Sequence, residues 1–265
     1  MRCSLAPVLI PYICPLLQLA SLPSSPPFSY CVSVLSGHVA FHVDDVYKTC
    51  LNLQKSSVSF KKLPDEGRMK GLAFAYDPDK YWVEIIKRAE EHVLKTPANL
   101  SQTMIRIKNP GLSIPFYQKL GMTLVQQRHF GPDQGAFSLY FLAALGPNET
   151  PPPEDEAGIR TWVNSREAPV LELTHNHGTE NDDDFKHFHG NEEGRQGFGH
   201  IGFLVDDVFK ACQELKDLGF GMHKEPAGGN MKGLAFANDP DGYRVEIIKR
   251  GGYDDKGTPY YFETK

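Results

Sequence analysis

Residues 199–212 read GHIGFLVDDVFKAC, and residues 37–50 read GHVAFHVDDVYKTC. The likeness continues without a gap to Arg250 and Arg88, and about 30 of the 52 positions paired at an offset of 162 are identical. Identity at that level marks an internal duplication, so one reading of the pattern serves both copies. A strand starts at the His, His38 or His200. After VDDV comes a helical stretch, in which Val208, Ala211, Cys212, Leu215 and Leu218 recur at helical spacing and define one apolar face. Asp206 is placed to cap its start, and Gly219 suits its end. A strand follows, then a Gly-containing turn, the strand GLAFA (233–237), the turn DPDG (239–242) and the strand YRVEII (243–248). The order is βαβββ. In the last strand Val245 and Ile247 alternate with Glu246, which sends Glu246 to the opposite face. Glu84 does the same between Val83 and Ile85.

A third stretch with this order lies between the copies, over residues 101–176. Its first strand carries Gln102, and its last carries Glu172 between Leu171 and Leu173. The fold class expected is therefore α+β: three βαβββ modules, with curved sheets paired so that their concave faces enclose a cavity. Each module aims two polar side chains into it, His38 with Glu84, Gln102 with Glu172, and His200 with Glu246. Two such pairs give one imidazole, two carboxylates and one amide. That set suits a borderline or hard divalent ion that keeps open positions for water or substrate. A lone strand His is usually a hydrogen-bonded core residue, and a lone strand Glu usually faces solvent. The same His–Glu pair at the same spacing in both copies weakens that bland reading, although duplication by itself could preserve it.

The chain has 265 residues, of which 40% are hydrophobic and 23% charged, enough for a sizeable core. A net charge of -5 argues against a nucleic-acid partner. The acidic run ENDDDFKHFHGNEE from Glu180 reads as a solvated loop. Five cysteines (Cys3, Cys14, Cys31, Cys50, Cys212) with no CxxC signal neither a disulfide framework nor a Cys-type zinc site, which makes a reducing compartment the default. Residues 1–36 stand apart. One Arg, an apolar run broken by Pro and a Ser/Pro-rich stretch read as a secretory leader or as a misassigned segment, and not as a membrane span. The divisions expected are 1–36, a leader; 37–95, one βαβββ half; 96–250, two modules forming a complete unit; and 251–265, a tail.

QTMIRIKNPGLSIPFYQKLGMTL, FSLYFLA, LELTHNHGTE, GFGHIGFLVDDV and MKGLAFANDPDGYRVEII occur in this order, and together they resemble the glyoxalase I (lactoylglutathione lyase) family of the vicinal oxygen chelate superfamily. The likeness covers residues 37–250. It implies a divalent metal, zinc first with nickel or cobalt as alternatives, held by Gln102, Glu172, His200 and Glu246, with His38 and Glu84 in the repeat. It also implies isomerisation of the methylglyoxal–glutathione hemithioacetal to S-lactoylglutathione by metal-assisted proton transfer through an enediolate. Glu84 or Glu246 would be the main base, and Glu172 would serve the other face. For glutathione the likeness points to Arg106 and Asn176, to Lys62, Arg68 and Met69 in a loop that folds over the substrate, and to Lys224, Asn230 and Met231 in the second copy. A further family Arg is absent: its position holds Val34 in one copy and Gln196 in the other, with Arg195 beside it. Some relatives fuse two units in tandem and hold four modules, and this chain resembles one that lacks the first. His38 and Glu84 then complete a site with Gln102 and Glu172. The alternative closes Gln102 and Glu172 on His200 and Glu246. An unpaired last module invites a homodimer. The expected setting is the cytoplasm, with a secretory or organellar leader as the alternative, and no membrane or nucleic-acid partner. Two other readings are a ring-cleaving dioxygenase of the same superfamily, disfavoured by Gln102 in a ligand position, and an inactive or binding-only chain.

Overall fold

The structure, a computed structural model, describes residues 37–90, 96–146, 148–150, 152–153, 155–193 and 195–251. The leader, with Cys3, Cys14, Cys31 and Val34, and the tail beyond 251 lie outside the described residues, as do the side chains of Arg195 and Gln196. The βαβββ order is found three times, once with an added helix. The first module has β1 (Gly37–Val43), α1 (Val46–Lys55), β2 (Phe60–Lys62), β3 (Ala73–Tyr76) and β4 (Trp82–Lys87). The second has β5 (Ala98–Ile107), α2 (Pro110–Lys119), β6 (Met122–Phe130), β7 (Phe137–Ala144), α3 (Glu156–Ser165) and β8 (Val170–Asn176). A short hairpin, β9 (Asn191–Glu192) and β10 (Arg195–Gln196), leads to the third: β11 (His200–Val205), α4 (Val208–Asp217), β12 (Met222–Lys224), β13 (Ala235–Asn238) and β14 (Arg244–Lys249).

Three local readings need correction. The caps of α1 and α4 are the second Asp of each VDDV: Asp45 accepts from Lys48 N at 2.9 Å and Asp207 from Lys210 N at 3.0 Å. Asp206, the expected cap, instead accepts from Arg250 Nε at 3.0 Å. On α4, Val208, Ala211, Cys212 and Leu215 are buried, but Leu218 falls on the C-cap and is exposed, because Gly219 (φ 86°) turns the chain before the apolar face recurs. The third correction is α3, which interrupts the second module between β7 and β8. Its signals were in the sequence: Pro residues at 151–153, then Asp155, whose side chain caps Gly158 N at 2.8 Å, and Glu156 in the first turn.

The described residues divide into two compact units, those within 37–105 and 148–172, and those within 106–147 and 173–251. Strands β5 and β8 pass from one to the other. In the first unit the strand order is β2-β3-β4-β1-β5-β8. β1 runs parallel to β4 and antiparallel to β5, so the first module and the start of the second share one sheet edge to edge. Under α1, Val43, Val46, Cys50, Ala73, Ala75 and Ile85 form the core. In the second unit β8-β7-β6 continue in order, and the third module forms a separate four-stranded sheet, β11-β14-β13-β12. There Phe116 and Tyr117 of α2 are fully buried, Phe116 edge-on to Phe220 at 4.9 Å. Cys50 and Cys212 are buried free thiols, and burial pushes each up to about 11.

Gly37 opens β1 where the strand lies tight on β5. A Cβ there would come within 1.8 Å of the Met104 carbonyl oxygen, which is backbone and cannot step aside. Gly37→Ala is therefore expected to destabilise the chain by about 1–3 kcal/mol, the usual cost of overpacking. Urea unfolding of the variant beside wild type measures it, and an unchanged midpoint would contradict this account of the β1–β5 seam.

Candidate metal site

Each of four neighbouring strands, β4-β1-β5-β8, carries one of the expected ligands: Glu84, His38, Gln102 and Glu172. Register explains why they meet. Ala40 is opposite Glu84 on one side and Gln102 on the other, and directly opposed residues share a face of the sheet. His38 is two residues before Ala40 and so points the same way. The small Ala40 side chain leaves the space between the two longer ones open. Sequence reading placed the polar residue at the head of each first strand. That fits His38 and His200, but Gln102 is the fifth residue of β5, because pairing with β1 extends that strand back to Ala98.

His38 Nε2 is 3.0 Å from Glu84 Oε2, the Gln102 amide nitrogen donates to Glu84 Oε2 at 3.1 Å, and it donates to Glu172 Oε2 at 2.5 Å. One ligand atom from each of His38, Glu84 and Glu172 lies within 4.8 Å of the others, and among the described residues no other three His, Cys, Asp or Glu side chains converge in this way. Glu84, Gln102 and Glu172 are all buried. Two buried carboxylates around one amide are costly without a compensating positive charge. The donor set therefore fits a divalent cation. Half a turn of the Gln102 amide would present its carbonyl oxygen in place of its nitrogen and add a fourth donor.

His200 and Glu246 make the same contact in the other unit, at 3.2 Å. The surroundings differ. The His200 and Glu246 side chains are 46% and 19% exposed, against 7% and 9% for His38 and Glu84. β1 has β5 beside it, whereas β11 ends its sheet among the described strands.

Sequence reading did not single out the aromatic that backs each His. Phe74 meets the His38 ring edge-on at 5.3 Å, and Phe236 meets His200 identically at 5.3 Å. The signal was present as GLAFA in both copies. The other expected residues fall into two groups. Arg106 and Asn176 are a pair in the second unit, Nη1 to Oδ1 at 3.4 Å. Lys62 and Lys224 turn inward on their own loops: Lys62 Nζ donates to the carbonyls of Leu72 (2.6 Å) and Leu63 (3.3 Å), and Lys224 Nζ to those of Met231 (2.6 Å), Leu234 (2.7 Å) and Glu225 (3.3 Å). Burial lowers both ammonium groups from their usual value. Arg68, Met69, Asn230 and Met231 are exposed on those loops.

Comparison with known proteins identifies the family. The family model of the Glyoxalase/Bleomycin resistance protein/Dioxygenase superfamily matches residues 23–85 and 99–247. The lactoylglutathione lyase of Schizosaccharomyces pombe is 38% identical over 219 residues, which is 81% of this chain and 66% of that protein. This chain thus spans just under two thirds of that relative's length. The lactoylglutathione lyase of Pseudomonas putida is 47% identical over 150 residues, 56% of this chain and 83% of that one. The crystal structure of glyoxalase I from Zea mays superposes with a TM-score of 0.60 at 27% identity, over 82% of this chain and 68% of the maize chain. Three βαβββ modules and a family match across most of their length place the chain: it belongs to the glyoxalase I family of the Glyoxalase/Bleomycin resistance protein/Dioxygenase superfamily.

Proposed function

We propose that this chain is a lactoylglutathione lyase, which isomerises the hemithioacetal of methylglyoxal and glutathione to S-lactoylglutathione, and that its site is His38, Glu84, Gln102 and Glu172. The observation that carries this is the convergence of those four side chains on four adjacent strands. A divalent cation held by these residues, zinc in the first place and nickel or cobalt otherwise, would supply Lewis acidity toward the substrate's two adjacent oxygens. The protein's own task is to move a proton. Glu84 removes it from the hemithioacetal carbon and returns it to the neighbouring carbon. One C–H bond breaks and one forms, the hydroxyl proton of the first carbon passes to the oxygen of its neighbour, and no electron leaves the substrate. His38 fixes the Glu84 carboxylate through its 3.0 Å contact, and the Gln102 amide spans Glu84 and Glu172. Burial keeps bulk water from protonating the intermediate carbon at random. The cytoplasm, rich in glutathione, is proposed as the setting. Among the described residues no helix is long and apolar enough to cross a membrane.

The test is to mix methylglyoxal and glutathione, follow thioester formation with purified full-length chain, and measure metal per chain on the same sample. Activity that is lost on chelation and restored by zinc is the expected result. A folded chain that holds no metal and forms no thioester would overturn the proposal.

A further inference from the structure

The two copies carry loops that leave the sheet from the same place and are fastened differently. Lys62 is opposite Phe74, and Phe74 is opposite Glu84, so loop 63–72 starts from the row of residues that holds the site. The Glu84 charge acts on the Lys62 ammonium. Loop 225–234 starts likewise from Lys224, opposite Phe236, itself opposite Glu246. The necks match. Each lysine binds carbonyls at both ends of its loop, and Gly71 N bonds Pro64 O at 2.9 Å as Gly233 N bonds Pro226 O at 2.8 Å.

The bodies do not match. Tyr47, in the first turn of α1, donates its hydroxyl to Asp65 Oδ1 at 2.7 Å, Lys70 Nζ donates to the Asp65 carbonyl, and Glu66 Oε2 accepts from Leu63 N at 2.8 Å. The duplication replaces Tyr47, Asp65 and Glu66 by Phe209, Ala227 and Gly228, which lack the hydroxyl and the two carboxylates of the Tyr47–Asp65 and Leu63–Glu66 bonds. The Phe209 ring is exposed, and a cavity of about 470 Å³ lined by Phe209, Pro226, Ala227 and Lys232 lies where the first copy has its Tyr–Asp bond. Gly228, in place of Glu66, adds backbone freedom to the second loop.

We propose that the Tyr47–Asp65 hydrogen bond latches loop 63–72 to α1, making Tyr47 a positioning residue for the neighbouring His38–Glu84 site, and that the second copy has lost this latch. The positioning half rests on the function proposed above; the latch does not.

Hydrogen exchange on the full-length chain separates them, because the Gly71 and Gly233 amides make equivalent bonds in one molecule. Gly71 is expected to exchange about three- to tenfold more slowly than Gly233, the range for one net hydrogen bond. Tyr47→Phe, which removes only the hydroxyl, should abolish that difference and raise KM severalfold, with kcat and metal content near wild type. Phe209→Tyr combined with Ala227→Asp should slow exchange across 225–234. Equal exchange of the two loops in wild type, or exchange of 63–72 that ignores Tyr47→Phe, overturns the latch. Exchange that responds while KM stays fixed overturns the positioning role. A wild-type chain without isomerase activity removes the functional reading and the positioning role together, and the exchange comparison still decides the latch.

Discussion

Replacing Glu84 by glutamine lowers kcat/KM for the proposed isomerisation by on the order of 10²–10⁴-fold, the usual contribution of a positioned acid–base group. Glutamine fills the same space between Val83 and Ile85, so the fold is retained while two properties disappear. The side chain can no longer take up a proton, and the site loses one of its two buried negative charges, with which His38 and Gln102 are paired at 3.0 and 3.1 Å. Metal per chain therefore falls along with turnover. Glu246→Gln is the matched experiment. It alters the equivalent residue of the duplicated module, beside an imidazole at 3.2 Å, but with no third converging ligand among the described residues. Its activity and metal content are expected to stay near wild type. The opposite pattern, activity sensitive to Glu246 and indifferent to Glu84, would assign the chemistry to His200 and Glu246 and overturn the site proposed here.

The expectation behind that experiment was legible in the sequence because period and repetition reinforce each other. Alternation around Glu84, Glu172 and Glu246 fixed the face each carboxylate takes, and the duplicated GH…VDDV…VEII fixed the order of elements twice. Which halves meet was not legible from alternation, and only the family resemblance favoured His38 and Glu84 with Gln102 and Glu172. Their meeting depends on β1 pairing with β5 through the register Ala40–Gln102, a contact between segments about sixty residues apart whose alternation would look the same with any partner strand. Helix α3 was missed for another reason: it interrupts a pattern established by the other two modules. The VDDV cap was misplaced by one residue because two adjacent aspartates have the same chemistry, and only backbone geometry decides which accepts the N–H. The roles of Lys62 and Lys224 show the limit of charge counting. A lysine in a loop reads as an available cation, yet both spend their donors on carbonyls of their own turns.

Asp239→Asn is expected to stabilise the second unit near neutral pH and to change how its stability depends on pH. Asp239, in the DPDG turn, accepts from the Tyr117 hydroxyl at 2.7 Å and from the backbone of Asp241 and Tyr243 at 3.0 and 2.8 Å. Burial pushes its carboxyl up to about 7 from 3.8, against the three donors, which favour the charged form. Asp241, bonded to Lys108 N and Ser113 Oγ, is raised in the same direction, again chiefly by burial. Between about pH 4 and 7 the folded chain thus holds a proton that the unfolded chain has released. Stability is fully present below the unfolded value and declines as pH rises through the folded one, by up to about 1.4 kcal/mol per unit. Asparagine keeps the geometry without titrating. Its carbonyl oxygen accepts from the two backbone donors, and its amide donates to the Tyr117 oxygen. Urea unfolding at pH 5 and pH 8 tests the sign: the advantage of Asp239→Asn over wild type should grow with pH. Asp239→Ala controls for structure, since it strands a buried hydroxyl and two backbone N–H groups and should cost about 3 kcal/mol or more at either pH. If Asp239→Asn is instead less stable than wild type by a constant amount at both, the three donors outweigh burial, Asp239 is ionised in the fold, and the upward shift assigned to it is wrong.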